Sequence, residues 1–213
     1  SGLLLKINEN EVWVRLIGTF NAYNLLAIYG TAVQLGLENL EVLRLLSELE
    51  SVSGRFQFIV SNEKITAIVD YAHTPDALEN VLKTINDIRT KNEQLITVVG
   101  CGGDRDKAKR PIMANIATQM SDKVIITSDN PRTENPATII AEMEAGVEPQ
   151  NFKKSLSIED RKQAIKTACQ LANTNDIILI AGKGHETYQE IQGVRYDFDD
   201  MKIVKEFLEQ MNK

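Results

Sequence analysis

Four short apolar runs constrain the fold most: TAIVD, LITVVG, KVIITS and DIILIAG, each leading into a loop rich in glycine or proline. The runs are too short for helices and show no polar alternation, which reads as strands buried on both faces. Between them, apolar residues recur at helical spacing. After Thr74-Pro75 they are Leu78, Val81, Leu82, Ile85 and Ile88, and after the second run Ile112, Met113, Ile116, Ala117 and Met120. A third helix starts at Pro136. A fourth, with Ala164, Ile165, Ala168 and Leu171 inward, follows a capping box read from Ser157 to Asp160. The last carries Ile203, Val204, Phe207 and Leu208. Strands alternating with amphipathic helices predict a Rossmann-like α/β domain over residues 53–213, with a mostly parallel sheet and helices on both faces.

The first fifty or so residues have a different texture. Leu5 and Ile7 alternate on one hairpin arm, and Val12, Val14 and Leu16 on the other. A helix with Leu25, Ile28, Tyr29, Ala32 and Leu35 on one face then stops at Gly36, and ENLEVLRLLSELE reads as a second helix. Residues 1–52 are therefore expected to be the tail of a preceding domain, and a chain that opens inside a hairpin is expected to be part of a longer protein. With 24 Lys+Arg against 30 Asp+Glu, the net charge of −6 argues against a general nucleic-acid or membrane-surface binder. No apolar run approaches a membrane span. Two unpaired cysteines, Cys101 and Cys169, suit a reducing compartment, and a cytoplasmic location is expected.

In open α/β sheets, ligands sit outside the carboxyl ends of the strands. Three loops fall there: GCGGDRDKAKRP, SDNPR and GKGHE. They carry Arg105, Lys107, Lys109, Arg110, Arg132 and Lys183, beside glycines whose N–H groups can approach an anion. Arg105 and Arg132 together with Glu186 suit a zwitterion, arginines for carboxylates and a carboxylate for an ammonium. Lys107, Lys109 and Arg110 read as loop or surface charges. Lys183 invites a phosphate-loop reading, but GxxxxGK[ST] is absent. His73 and His185 have no metal-ligand spacing, so no metal ligands are expected, and Cys101 reads as a small packed residue. Asp70 fits either a turn residue or a ligand contact.

Taken in order, FNAYN, GRF, DYAHTPDAL, GCGGDRDKAKRP, DNPR and GKGHE resemble the Mur ligase family, most closely its diaminopimelate-adding members. The resemblance covers essentially the whole chain. It implies that residues 1–52 end a central ATP-binding domain and that residues 53–213 form a C-terminal amino-acid-binding domain. It places Asn21, Asn24, Arg55 and Asp70 at the ATP site. Arg105, Asp129, Asn130, Pro131, Arg132, Gly182 and Glu186 would line the pocket for meso-diaminopimelate. Lysine-adding relatives lack the DNPR arginine, and the physical reason is direct. A guanidinium binds the distal carboxylate of diaminopimelate but repels the ammonium tip of lysine.

The implied activity is ATP-dependent amide formation on a UDP-muramoyl dipeptide in peptidoglycan synthesis, with Mg²⁺ assisting phosphoryl transfer. The resemblance places the phosphate-loop lysine and the metal ligands in a segment this chain does not contain. The chain alone is thus expected to be inactive, with no catalytic residue assigned in it. The alternatives are a lysine-adding or folate-tailing ligase of the same family, or a non-catalytic nucleotide-binding module.

Overall fold

A computed structural model describes residues 2–213. They form two compact units, 2–52 and 53–213. In the first, strands β1 (Leu3–Ile7) and β2 (Asn10–Val14) pair antiparallel, followed by helices α1 (Thr19–Gln34) and α2 (Asn39–Glu48). Val14, Leu25, Val42, Leu43 and Leu46 form its core, with Tyr29, Ala32 and Val33 packed against it. Ile28 and Leu35, expected on the inner face, are 47% and 79% exposed. The inward stripe of α1 runs through Leu25, Tyr29, Ala32 and Val33, and at 100° per residue Ile28 and Leu35 lie at its edge.

The second unit is a six-stranded sheet in the order β3-β4-β8-β5-β6-β7. Its strands are β3 (Gln57–Val60), β4 (Thr66–Asp70), β5 (Leu95–Cys101), β6 (Lys123–Ser128), β7 (Ser155–Ser157) and β8 (Ile177–Ala181). Only β3 runs antiparallel, at one edge, and the other strands pair parallel. This is the mostly parallel α/β sheet expected from the unbroken apolar runs. Every residue of β5 and of β8 is buried.

Helices α3 (Pro75–Ile88), α4 (Lys109–Met120) and α5 (Pro136–Glu144) pack against one another in chain order, following the sheet from β4 towards β6. Helix α6 (Arg161–Leu171) carries the chain back from the β7 edge to β8, and α7 (Asp200–Gln210) packs beside it. Right-handed crossovers in opposite directions put these two groups on opposite faces of the sheet. Ala164, Ile165, Ala168 and Cys169 of α6 share a core cluster with Val69, Val98, Ile125, Ile180 and Phe207. Truncating Ile165 there would cost about 2–5 kcal/mol by cavity formation. The direction of winding reverses between β5 and β8, so their adjacent carboxyl ends open a crevice at the switch point.

Three local expectations change. Ser157 does not cap α6: it lies in β7, in register with Ile126, while the Asp160 carboxylate accepts the Gln163 N–H at 2.9 Å as the cap. Ile88, in the last turn of α3, is 54% exposed. Ile112, at 49% exposure, lines the cavity described next instead of packing inward.

Candidate functional site

A cavity of about 440 Å³ opens at the carboxyl ends of β4, β5, β6 and β8. Gly100 and Cys101 line it from the end of β5, Gly102 and Arg105 from the loop after it, and Asp129, Asn130 and Arg132 from the loop after β6. Gly182 and Glu186 come from the loop after β8, Tyr71 and His73 from the loop after β4, and Pro75 from the start of α3. The structure thus brings together six of the seven residues read as an amino-acid pocket. Pro131 is the exception: it is buried behind the cavity and bends the chain so that Arg132 faces it.

Arg132 has a left-handed backbone, with φ of 52°, a conformation uncommon for a side chain of this size. Two backbone hydrogen bonds hold it there. Its N–H donates to the Glu190 carbonyl at 3.0 Å, and its own carbonyl accepts the Gln192 N–H at 2.6 Å. Both partners belong to the hairpin of β9 (Tyr188–Ile191) and β10 (Val194–Asp197), which buttresses the loop. The Arg132 Nη1 donates to the Gly103 carbonyl at 2.8 Å. Strain held by neighbours in this way fixes where the guanidinium stands. Arg105 is exposed on the loop after β5, and its Nη1 donates to the Asp104 carbonyl at 3.1 Å.

The acidic side of the cavity is organised by Asn130. Its Nδ2 donates to Glu186 Oε2 at 2.8 Å, and its Oδ1 accepts from Lys183 Nζ at 2.9 Å and from the Glu190 N–H at 3.0 Å. Lys183 is fully buried, and burial pushes its ammonium pKa down while Asp129 pulls it back up. Asp129 accepts the Asn130 N–H at 2.6 Å. Gly182 sits at φ of 120°, where a Cβ would stand 2.6 Å from Asp129 Oδ2, so glycine lets the Asp129 carboxylate and the β8 loop meet.

Arg110 corrects an expectation. It is no surface charge: its side chain has 0% exposure and pairs with Glu134 at 2.8 Å and Glu142 at 2.5 Å. Glu134 also accepts the Asp104 N–H at 2.6 Å, which fastens the loop after β5 to the loop after β6. Lys109 lines the cavity and donates to the His73 carbonyl at 2.7 Å. Lys107 is exposed, as expected, and lies 3.4 Å from Glu134.

The residues read as the nucleotide side fall in both units. In α1, Asn21 Nδ2 donates to the Ile17 carbonyl at 2.8 Å and Asn24 Nδ2 to Asn21 Oδ1 at 3.2 Å. Arg55 is exposed, with its guanidinium carbon 5.0 Å from the centre of the Tyr71 ring. Asp70 is buried, and burial pushes its carboxyl pKa up. Its carboxylate accepts the Phe56 N–H at 2.7 Å and its carbonyl the Gly182 N–H at 3.0 Å, so it ties both flanking loops to β4. His73 Nδ1 donates to the Tyr71 carbonyl at 2.8 Å. Among the described residues, no group of three or more His, Cys, Asp or Glu side chains is placed to hold a metal ion. No helix among the described residues is long and apolar enough to cross a membrane.

Sequence reasoning missed Arg161 and Asp200, a fully buried pair with Nη2 to Oδ2 at 2.7 Å. Arg161 Nη2 also donates to the Ala181 carbonyl at the end of β8, so the pair braces the strand that launches the GKGHE loop. An arginine just inside a helix and an aspartate 39 residues on carry no joint signal until the fold brings them together.

Arginines and carboxylates from the loops after β5, β6 and β8 thus line one switch-point cavity of a Rossmann-like domain. Residues 54–184 match the family model of the Mur ligase glutamate ligase domain, and the chain belongs to the Mur ligase family. It is 60% identical over 212 residues to the UDP-N-acetylmuramoyl-L-alanyl-D-glutamate–2,6-diaminopimelate ligase of Cytophaga hutchinsonii, covering 100% of this chain and 43% of that protein. It is 58% identical to the Bacteroides thetaiotaomicron protein of the same name, covering 96% of this chain and 42% of that one. A solved structure of a ligase of this name matches with a TM-score of 0.72 at 42% identity, over 97% of this chain and 42% of that one. The chain spans less than half the length of these relatives.

Proposed function

We propose that this chain is the amino-acid-binding part of an ATP-dependent amide ligase that adds meso-diaminopimelate to UDP-N-acetylmuramoyl-L-alanyl-D-glutamate in peptidoglycan synthesis. One observation carries the reading: Arg132, fixed by the β9–β10 hairpin, and Glu186, fixed by Asn130, line the same cavity. A carboxylate and an ammonium of one amino-acid head meet these two groups, and Arg105 and Asp129 add a second pair of charges. A lysine tip offers Arg132 an ammonium in place of a carboxylate and is repelled. The names of the relatives support the same substrate.

In this reaction ATP phosphorylates the D-glutamyl side-chain carboxyl, an amine of diaminopimelate attacks the acyl phosphate, and phosphate leaves. Mg²⁺, held outside this chain's described residues, would offset charge during phosphoryl transfer. Among the described residues, no group of three or more His, Cys, Asp or Glu side chains fits the metal. The chain's own part is to hold the amino acid so that its attacking amine is presented in a fixed direction. Residues 1–52 are read as the end of a central ATP-binding domain, with Asn21, Asn24, Arg55 and Asp70 on the nucleotide side. The chain alone is read as inactive.

Titration calorimetry of this chain with meso-diaminopimelate, L-lysine and the Arg132→Ala variant tests the proposal. Binding of meso-diaminopimelate, no measurable heat with lysine, and a loss of about 10- to 100-fold in Arg132→Ala are expected for a charge-assisted contact. Equal affinity for lysine and meso-diaminopimelate would sink the specificity assignment.

A further inference from the structure

Lys183 is the one fully buried lysine among the described residues. Its position in a glycine-flanked loop suggests a phosphate ligand, but its ammonium is turned to other partners. Nζ donates to Asn130 Oδ1 at 2.9 Å and to Glu186 Oε2 at 3.3 Å, with the Tyr188 ring centre 5.6 Å away. Asn130 Oδ1 also accepts the Glu190 N–H at 3.0 Å. With two donors on its oxygen, the Asn130 amide can turn only one way, and Nδ2 then faces Glu186 Oε2 at 2.8 Å. Lys183, Asn130 and Glu186 so close a ring of hydrogen bonds. Both side-chain bonds of Glu186 end on Oε2, and among the described residues Oε1 takes none.

The charges around this ring can be counted. Arg161 is matched by Asp200, with both side chains at 0% exposure. That leaves Asp129 and Glu186 on the acidic side of the cavity, with the Lys183 ammonium between them as the buried countercharge. One negative charge remains for the ligand, which suits one ammonium. A methionine would fill the Lys183 site without desolvating an ion, so the charge is best accounted for by the groups it orients.

Resting on the amino-acid site argued above, we propose that Lys183 is a positioning residue for ammonium recognition. It locks the Asn130 amide and anchors Glu186 through Oε2, so that Oε1 is offered to the amino group of the ligand. It touches no ligand itself. Without it, the Glu190 N–H alone holds the Asn130 oxygen, Glu186 loses its charged anchor, and the acidic side carries two uncompensated charges.

Two measurements test this, one of them without ligand. In crystals of Lys183→Met, Glu186 is expected to swing away and the Asn130–Glu186 hydrogen bond to be broken. In Lys183→Gln, which keeps a donor but no charge, the Asn130–Glu186 hydrogen bond is expected to persist. An Asn130–Glu186 pair unchanged in Lys183→Met overturns the proposal. The second measurement compares calorimetric affinities for meso-diaminopimelate and for pimelate, which has the same two carboxylates and no amino group. The preference of the unaltered chain for meso-diaminopimelate is expected to fall at least tenfold in Lys183→Met. A purely structural lysine would weaken both ligands equally, and an unchanged ratio counts against the proposal. If the unaltered chain binds no meso-diaminopimelate, the site assignment itself fails, and the ligand-free crystals still decide the role of Lys183.

Discussion

Arg110 and Glu134 form the hinge on which the geometry of the cavity depends. Glu134 takes hydrogen bonds from both terminal guanidinium nitrogens of Arg110, and it is this contact first, then the Asp104 N–H, that holds its carboxyl down at about 2. The folded pKa lies below the ordinary value of 4.5, so the stabilisation is complete above about pH 4.5 and is lost as pH falls through about 2. Unfolding free energy measured by denaturant titration should therefore decline across that window, and less steeply in Glu134→Gln. Equal slopes in the two proteins would show that Glu134 contributes nothing to acid sensitivity. Arg110→Met leaves two carboxylates facing a desolvated site and should melt several degrees lower. None of this was legible in the sequence. Arg110 sits in a run of loop charges, and its partners lie 24 and 32 residues downstream, so only the packing of α4 against α5 distinguishes it from exposed Lys107.

Among the elements, the central strands were legible because residues buried on both faces leave an uninterrupted apolar run, as in LITVVG and DIILIAG. The start of α6 was not. Ser157 and Asp160 both suit a helix cap, and the register of β7 against β6, which claims Ser157 for the sheet, is a long-range fact. The GKGHE loop was legible as chemistry but not as packing. At Gly184, φ is 53°, and a Cβ would stand 2.6 Å from Tyr71 Cβ and 2.7 Å from the Gly54 carbonyl oxygen. The loop bearing Glu186 is thereby pressed onto the segment that carries Arg55 and onto the loop after β4. Gly184→Ala should cost about 1–3 kcal/mol by overpacking and displace the loop. Denaturation would report the first effect and calorimetry a weaker meso-diaminopimelate affinity. A stable variant with unaltered affinity would mean that the loop tolerates the shift and that this contact does not set the site.

For the molecule as a whole, the question is how much of the chain the proposed binding needs. The sheet runs from β3 to β8 within residues 57–181, and its α6–α7 core cluster draws only on residues from Ile59 to Met211. The hydrogen bonds that fix Arg132, Asn130, Glu186, Asp70 and Arg110 all begin and end within residues 53–213. A unit of this size buries roughly two-thirds of the surface its unfolded chain exposes, enough for independent stability. Residues 53–213 expressed alone should therefore unfold in one cooperative transition and bind meso-diaminopimelate within about twofold of the 213-residue chain, a difference well under 1 kcal/mol. The longer chain should show a second transition by calorimetry, because the Val14–Leu25–Leu46 core of residues 1–52 is separate. A tenfold loss of affinity on truncation would mean that the first unit contributes to amino-acid binding, and the site would then have to be redrawn to include it. Retained affinity would instead assign recognition wholly to the second unit, consistent with charges that are held in place by that unit's own loops.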